Sequence, residues 1–214
     1  VLFDDGISAC CGKYGTVTFI PTVDENSNNH FAEEFILIVD CSGSMKGEEI
    51  ELAAQCLIFF IQSLPENCFF NVIRFGSKSV PLFKKPVPYT PENKQKANDL
   101  AFSLKADLGG TILSNPLNEV FSCKLARSNK LRRVFVLTDG RDFYPSKVID
   151  LVKRNASTTM CNAIGIGYDV DRKLVEGIGK SGNGFHDFVL SGDDLRAKVI
   201  DQLSKSMNGS CKVD

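Results

Sequence analysis

Hydrophobic residues fall along the chain in two patterns, short unbroken runs and longer amphipathic segments. Residues 35–39 are five apolar residues without a polar break, which predicts a strand buried on both faces of a parallel sheet. Residues 47–64 instead space their apolar side chains three and four apart, as an amphipathic helix does. The chain therefore passes from a buried strand through a short polar turn into a helix.

The same alternation continues to the end of the chain. Further strands are predicted at 69–75, 132–140, 159–167 and 185–189, and a proline-interrupted edge strand at 79–83. Helices are predicted at 91–105, 115–127, 145–154, 171–179 and 193–207. Strands that alternate with helices predict an α/β fold with a mostly parallel sheet and helices on both faces.

The polar turn after the first strand carries the candidate chemistry. Asp40, Ser42 and Ser44 follow the apolar run at a spacing of two, and Gly43 lets the backbone turn. A carboxylate and two hydroxyls are hard oxygen donors of the kind that Mg²⁺ binds. The alternative for this turn alone is a helix cap with ordinary polar turn residues.

Asp-x-Ser-x-Ser after a buried strand resembles the metal-ion-dependent adhesion site (MIDAS) of von Willebrand factor A (VWA) domains. In that family a threonine and an aspartate from two later loops complete the site, and the resemblance assigns them to Thr111, in Leu-Gly-Gly-Thr, and Asp139, in Leu-Thr-Asp-Gly. The family fold is doubly wound, with six strands and an antiparallel edge strand, here 79–83. In the strand order 3-2-1-4-5-6, the first and fourth strands are neighbours, which brings Asp40 and Asp139 into one crevice.

The resemblance implies a non-catalytic protein interaction module. A divalent cation, Mg²⁺ with Mn²⁺ or Ca²⁺ as alternatives, would keep an open coordination position for an Asp or Glu carboxylate of a partner protein. Ser42 and Ser44 would bind the ion directly, Asp40 and Asp139 directly or through water, and Thr111 according to the conformational state. The residues expected at the partner-binding rim are Met45, Gly110, Arg141 and Tyr144.

The first 34 residues differ from the rest. A strand-like segment at 15–20 ends at Pro21 and is followed by the polar run 24–30. This junction resembles the end of the VIT domain that precedes the VWA domain in a subgroup including the inter-α-trypsin inhibitor heavy chains. The expected domains are a VIT-like tail with linker at 1–34, a VWA domain at 35–207 and a tail at 208–214, all within a larger multidomain chain.

Composition limits the classes of partner and the cellular compartment that we expect for this protein. A net charge of −1 over 214 residues gives no electrostatic reason to expect nucleic acid, and no apolar run is long enough to enter a bilayer directly. Cys56 lies within a predicted helix, Cys68 just before a predicted strand and Cys161 inside another, a distribution typical of reduced, buried cysteines. We expect a cytoplasmic protein, with secretion as the alternative because Asn155 and Asn208 begin glycosylation sequons.

Two other functions remain open from the sequence. Serine catalysis needs a base, but His30 and His186 are not tied to Ser42 or Ser44 by any motif. A phosphohydrolase that uses Asp40 and Mg²⁺ to activate water is conceivable. A structural scaffold with an unused metal site is the other alternative.

Overall fold

The computed structural model describes residues 7–9, 17–19, 33–124 and 131–208. The chain forms two compact units, residues 1–30 and residues 31–214. In the first unit, β1 (Ile7–Ala9) pairs antiparallel with β2 (Val17–Phe19). The predicted polar linker at 24–30 and the tail beyond residue 208 lie outside the described residues.

The second unit is built on one mixed sheet, which has seven strands over the described residues. These strands are β3 (Glu34–Asp40), β4 (Phe69–Phe75), β5 (Ser79–Pro81), β6 (Val87–Pro88), β7 (Arg132–Thr138), β8 (Thr159–Ile166) and β9 (Asn183–Val189). The order β5-β4-β3-β7-β8-β9 is the predicted doubly wound order, and β3, β4, β7, β8 and β9 run parallel. The predicted fold class is confirmed. Among the described residues of this sheet, the short strand β6 was not predicted, and it pairs antiparallel with β4.

Six helices, counted over the same residues, cover the two faces of the sheet. They are α1 (Glu48–Ser63), α2 (Pro91–Phe102), α3 (Ser114–Ser122), α4 (Pro145–Asn155), α5 (Arg172–Ser181) and α6 (Leu195–Asn208). Successive side chains of β3 point to opposite faces, so Phe35, Leu37 and Val39 pack with α1, α2 and α6. Ile36 and Ile38 pack with α3, α4 and α5. The unbroken apolar run of β3 thus contributes side chains to the hydrophobic core on each face of the sheet.

Two helices end earlier than the sequence predicts. The predicted helix 91–105 ends at Phe102, and the predicted helix 115–127 ends at Ser122. At the end of α3, the buried guanidinium of Arg132 donates to the carbonyl oxygens of Val120 and Cys123. A long-range side chain therefore satisfies the terminal carbonyls that another helical turn would have used.

Within the described residues, no helix is long and apolar enough to cross a membrane. Free thiols there are Cys41, Cys56, Cys68, Cys123 and Cys161. Four of these are buried, and Cys123 is exposed. Burial raises the pKa of the Cys56 and Cys161 thiols to about 12, so these side chains behave as small apolar residues.

Candidate metal site at the carboxyl ends of the central strands

The turn after β3 is organised around the Asp40 carboxylate. The backbone amide of Ser42 donates to Asp40 Oδ1 at 2.9 Å, and a 3₁₀ turn follows at Gly43–Met45. The hydroxyls of Ser42 and Ser44 lie 3.0 Å apart. Asp40 and Ser42 are buried, and Ser44 is half-buried. The three predicted oxygen donors of this turn therefore lie on one compact loop.

A second loop, residues 108–111, is hydrogen-bonded to this turn. The amide of Gly43 donates to the Gly109 carbonyl at 2.7 Å. Gly109 has a φ of +80°, and a Cβ there would lie 2.8 Å from Ser77 Oγ, so only glycine fits without strain. Ser77 Oγ in turn accepts from the Gly110 amide at 2.8 Å. The next residue of this loop, Thr111, is buried.

The third loop follows β7, the strand next to β3. The Thr138 hydroxyl donates to Asp40 Oδ2 at 2.6 Å and accepts from the Gly140 amide at 2.9 Å. Gly140 has a φ of +77°, and the Asp139 carbonyl accepts from the Asp171 amide at 2.9 Å. Thr138 thus joins the first and third loops directly and places Asp139 one residue beyond the Asp40 contact.

Burial governs the electrostatics of Asp40. Loss of hydration raises the pKa of its carboxyl to about 6 from an ordinary value of 3.8, while hydrogen bonds from Ser42 and Thr138 lower it and the nearby charge of Asp139 raises it. A neighbouring negative charge disfavours the charged form of the Asp40 carboxyl. A divalent cation would relieve this repulsion.

Asp139 has a carboxylate oxygen whose hydrogen-bonding capacity is not met. Its Oδ1 accepts from the Arg141 amide at 3.1 Å, but the buried Oδ2 has no hydrogen bond with any part of the chain that the structure describes. Arg141 Nε lies 3.7 Å from this oxygen, beyond hydrogen-bonding distance. That guanidinium is held instead by Asp169, at 2.5 Å from Nη2 to Oδ2. A buried carboxylate oxygen without a donor is costly unless a ligand supplies positive charge.

The donor set suits a hard cation. Two carboxylates would neutralise a divalent ion, and the serine and threonine hydroxyls add neutral oxygens. Cys41 lies in the same turn, but its side chain is buried in the apolar core, and burial raises its pKa to about 12. Within the described residues, no group of three or more His, Cys, Asp or Glu side chains forms a metal-binding cluster. The candidate donors of this site are oxygens, the ligand type that suits Mg²⁺ better than the nitrogen and sulfur ligands of zinc sites.

The predicted rim residues do not all reach the surface. Arg141 and Tyr144 are exposed, and Gly110 is half-buried. Met45 is fully buried and belongs to the core that contains α1, so its prediction as a partner contact is wrong. The 3₁₀ turn directs the Met45 side chain inward, which the sequence pattern of a polar turn did not reveal.

Three residues that organise the site were not predicted from the sequence. Thr138 bonds to Asp40, Ser77 holds Gly110, and Asp142 accepts from the Leu113 and Tyr144 amides at 2.6 Å each. A threonine that ends an apolar strand was a readable signal. The contacts of Ser77 with Gly110 and of Asp142 with Leu113 gave none, because these partners lie 33 and 29 residues away in sequence.

The chain matches one known protein family over nearly the same residues that form the sheet of the second unit. The profile of the von Willebrand factor type A domain matches residues 33–188. The chain belongs to the von Willebrand factor type A family. VWA domains are generally protein interaction modules rather than enzymes, and the alternating strands and helices of this chain give it the VWA fold.

Similar VWA proteins are much longer than this chain. It is 38% identical over 184 residues to a VWA domain-containing protein of Dictyostelium discoideum, covering 85% of this chain and 20% of that protein. It is 36% identical over 174 residues to mouse VWA domain-containing protein 5B1, covering 81% of this chain and 14% of that protein. The chain thus spans about a fifth or less of the length of these two relatives.

Solved VWA structures share the fold. The VWA protein of Catenulispora acidiphila matches with a TM-score of 0.73 and 20% identity over 82% of this chain and 43% of that chain. Proximal thread matrix protein 1 from mussel byssus, solved with zinc in its MIDAS motif, matches with a TM-score of 0.62 and 15% identity over 81% of this chain and 46% of that chain. At these identities the likeness establishes the fold alone.

Proposed function

We propose that this VWA domain binds a partner protein through a divalent cation, Mg²⁺ in preference to Mn²⁺ or Ca²⁺. The ion would be held by Asp40, Ser42, Ser44, Thr111 and Asp139, and an open coordination position would accept an Asp or Glu carboxylate from the partner. The observation that carries the proposal is the buried Asp139 Oδ2, which has no hydrogen bond and lies beside a second buried carboxylate.

The hydroxyl donors support the same assignment. Ser42 and Ser44 present their oxygens 3.0 Å apart, and these would bind the ion directly. Asp40 already accepts two hydrogen bonds, so it would bind directly or through water, as would Asp139. When bound, the cation supplies a Lewis-acidic position for the partner carboxylate. The zinc-containing MIDAS motif of the mussel protein is consistent with a divalent ion in this fold.

We infer that the domain is not an enzyme. His186 lies on β9, which is separated from β3 by β7 and β8, so this histidine cannot serve Ser42 or Ser44 as a base. His30 lies outside the described residues. A panel of phosphoesters incubated with Mg²⁺ tests the phosphohydrolase alternative. Turnover that Asp40→Ala removes would contradict the interaction-module proposal.

Calorimetric titration with Mg²⁺ tests the cation itself. We expect binding by the unaltered chain and a loss of roughly tenfold or more in affinity for Asp40→Asn and Ser42→Ala, because each variant removes an oxygen donor or its charge. Asp150→Ala is the matched control, since it removes an exposed carboxylate on α4 and should leave the affinity unchanged. Equal Mg²⁺ affinity in all variants would overturn the assignment.

Affinity capture tests the partner. Immobilised protein is incubated with extract from its native source, with Mg²⁺ or with chelator, and the difference is identified by mass spectrometry. We expect proteins that are retained only with Mg²⁺ and are lost with Asp40→Asn. Magnesium binding that stabilises the fold without any metal-dependent capture would instead favour the scaffold alternative.

We further infer that the VWA domain follows a VIT-like domain in a longer, multidomain protein. The compact unit at 1–30, with its antiparallel strand pair, supports a separate preceding domain, as does the length of the relatives. The free thiols favour the cytoplasm as the compartment. A mobility shift of the native protein on deglycosylation, through Asn155 or Asn208, would contradict the cytoplasmic proposal.

A further inference from the structure

A cavity lies at the amino ends of the central strands, at the end of the sheet opposite to the candidate metal site. It is bounded by Glu34 at the start of β3, Arg132 at the start of β7, the 83–86 loop and the end of α3, and we call it the amino-end pocket. Asp40 lies at the other end of β3, about 20 Å along the strand. We propose that the amino-end pocket receives a branched aliphatic side chain of a partner protein, adjacent in the partner's sequence to an Asp or Glu.

The end of α3 forms one wall of the amino-end pocket. The Arg132 guanidinium donates to the Val120 and Cys123 carbonyl oxygens, and the helix ends at Ser122. Val120 and Cys123 therefore line the pocket together with Ile36 of β3 and Ile73 of β4. Apolar side chains from two strands and a helix end thus meet in one concave surface.

The buried polar groups of the amino-end pocket already have partners within the chain. Asn71 donates from Nδ2 to the Phe83 carbonyl at 2.8 Å, and its Oδ1 accepts from the Val72 and Phe83 amides at 2.9 and 3.1 Å. Arg132 donates from Nε to Glu34 at 2.5 Å and from both terminal nitrogens to the end of α3. The interior consequently favours a group that has no polar atoms of its own.

The size of the amino-end pocket selects the kind of group that enters. Its volume is about 60 Å³, whereas an apolar cavity of about 150 Å³ is needed to hold benzene. An aromatic ring or a drug-sized molecule is therefore too large. The end of a Val, Ile or Leu side chain fits, and one anchor in a pocket is how many protein interfaces obtain most of their affinity.

Charge at the mouth of the amino-end pocket selects the neighbours of that side chain. Lys84 and Lys85 are exposed on the 83–86 loop, and over the described residues neither forms an ion pair. Of the acidic residues that line the pocket, Glu34 is paired with Arg132, and Glu119 accepts from a serine hydroxyl. Two lysines therefore stand against one glutamate, and the excess positive charge favours an Asp or Glu on the partner.

The edge of the sheet beside the amino-end pocket is unsuited to strand pairing with a partner. Pro81 in β5, Pro86 in the loop and Pro88 in β6 have no amide hydrogen to donate. Lysines at a sheet edge oppose strand addition as well. The partner segment is therefore expected to bind by inserting a side chain rather than by adding a strand.

Selection of a phage-displayed random peptide library in EDTA tests the proposal. The chelator excludes cation-dependent binding, and bound phage are eluted at high salt. We expect enriched peptides in which Val, Ile or Leu is adjacent to Asp or Glu. A synthetic peptide of the enriched sequence should slow the alkylation of Cys123 by iodoacetamide, followed by mass spectrometry, because this exposed thiol lines the pocket.

Variants with matched controls locate the binding. Cys123→Trp adds a large ring at a lining position and should weaken peptide binding roughly tenfold, while Cys123→Ser should leave it unchanged. Lys84→Glu/Lys85→Glu should weaken binding at low ionic strength, and the difference should shrink as salt is added. Lys153→Glu/Lys173→Glu makes the same change in net charge on exposed residues of α4 and α5 and should have no effect.

The remaining outcomes would contradict the proposal. The docking pocket would be overturned by a selection without enriched sequences, by equal affinity of Cys123→Trp or by unchanged Cys123 alkylation. Equal affinity of the Lys84→Glu/Lys85→Glu variant would overturn the acidic partner. Protection of Cys123 by isovalerate as effective as that by the peptide would assign the pocket to a free short-chain acid instead. These measurements contain no Mg²⁺, so their outcome is independent of the proposed function.

Discussion

Arg141 lies between Asp139, a candidate cation ligand, and the exposed Asp169. Its Nε is 3.7 Å from Asp139 Oδ2, while its Nη2 is 2.5 Å from Asp169 Oδ2 and its Nε also donates to the Asp169 carbonyl at 3.3 Å. The stronger contacts keep the guanidinium on Asp169. Because Asp139 Oδ2 is thereby left without a hydrogen bond, it is available to a cation.

Asp169→Ala should therefore weaken Mg²⁺ binding. Without Asp169, Arg141 is free to move onto Asp139 Oδ2 and compete with the ion. An exposed ion pair is worth at most about 1 kcal/mol, so we expect a loss of up to about fivefold in Mg²⁺ affinity, measured by calorimetry at low ionic strength.

A double variant tests whether Asp169 acts through Arg141. We expect Asp169→Ala/Arg141→Ala to bind Mg²⁺ as Arg141→Ala does, because the competing guanidinium is gone. If the double variant were as weak as Asp169→Ala alone, Asp169 would be contributing its own charge to the site rather than positioning Arg141.

At the scale of elements, the site depends on the 108–111 loop being held against the turn after β3. The hydrogen bond from Gly43 to the Gly109 carbonyl and the one from Gly110 to Ser77 Oγ cross between separate loops. Both need the positive φ of Gly109 and the space that a missing Cβ leaves. The position of Thr111 is consequently set by its neighbours' backbone.

Gly109→Ala should lower both stability and Mg²⁺ affinity. The new Cβ would meet Ser77 Oγ at 2.8 Å at a φ of +80°, and we expect a loss of about 1–3 kcal/mol in the free energy of unfolding. Gly192→Ala is a matched control, since Gly192 has a φ of +88° but a Cβ there would meet nothing within 4 Å.

Chemical denaturation and calorimetry distinguish the two glycine variants. We expect Gly192→Ala to lose some stability from its backbone conformation and to keep its Mg²⁺ affinity. Gly109→Ala should lose both. If both variants bound Mg²⁺ like the unaltered chain, the 108–111 loop would not be part of the cation site.

At the scale of the whole molecule, the site lies where the direction of strand order reverses. From β3 the chain winds first to β4 and β5 and later to β7, β8 and β9, so the loops after β3 and β7 diverge to opposite faces of the sheet. The crevice between them is where ligands bind in open α/β sheets. Here it holds the Asp40 carboxyl, whose pKa is raised first by burial and also by the nearby charge of Asp139.

Metal-free protein should carry a pH-dependent destabilisation from Asp40. The folded state binds the Asp40 proton more tightly than the unfolded chain, with a pKa of about 6 against 3.8. The contribution of this group to the free energy of unfolding therefore falls as pH rises from about 4 to about 6. Full ionisation corresponds to about 3 kcal/mol.

Thermal unfolding of the unaltered chain and of Asp40→Asn measures this contribution. In chelator, the stability of Asp40→Asn relative to the unaltered chain should increase between pH 4 and pH 7. Added Mg²⁺ should raise the midpoint of the unaltered chain at pH 7.5 and have less effect at pH 5, where protons compete for the site. If the unfolding midpoints of both proteins changed equally with pH and with Mg²⁺, the ionisation of Asp40 would not be linked to stability or to cation binding.

The sequence by itself determined the layered fold and the order of its sheet. Strands that are apolar throughout must be buried on both faces, and the helices that alternate with them can bury both. The apolar run at 35–39 and the later apolar strands were therefore enough to predict the fold. The family resemblance selected Thr111 and Asp139, and the confirmed strand order explains why the loops after β3 and β7 lie side by side. That they ligate a cation stays a prediction.

Only the tertiary structure decided which side chains face the crevice and which face the core. Met45 turned inward, while Thr138, Ser77 and Asp142 acquired partners in other loops. Burial removed the hydration of Asp40 and left Asp139 Oδ2 without a donor. Burial and hydrogen-bond partners depend on how close loops that are far apart in the sequence come in space. The local pattern of polar and apolar residues carries no information about that spacing.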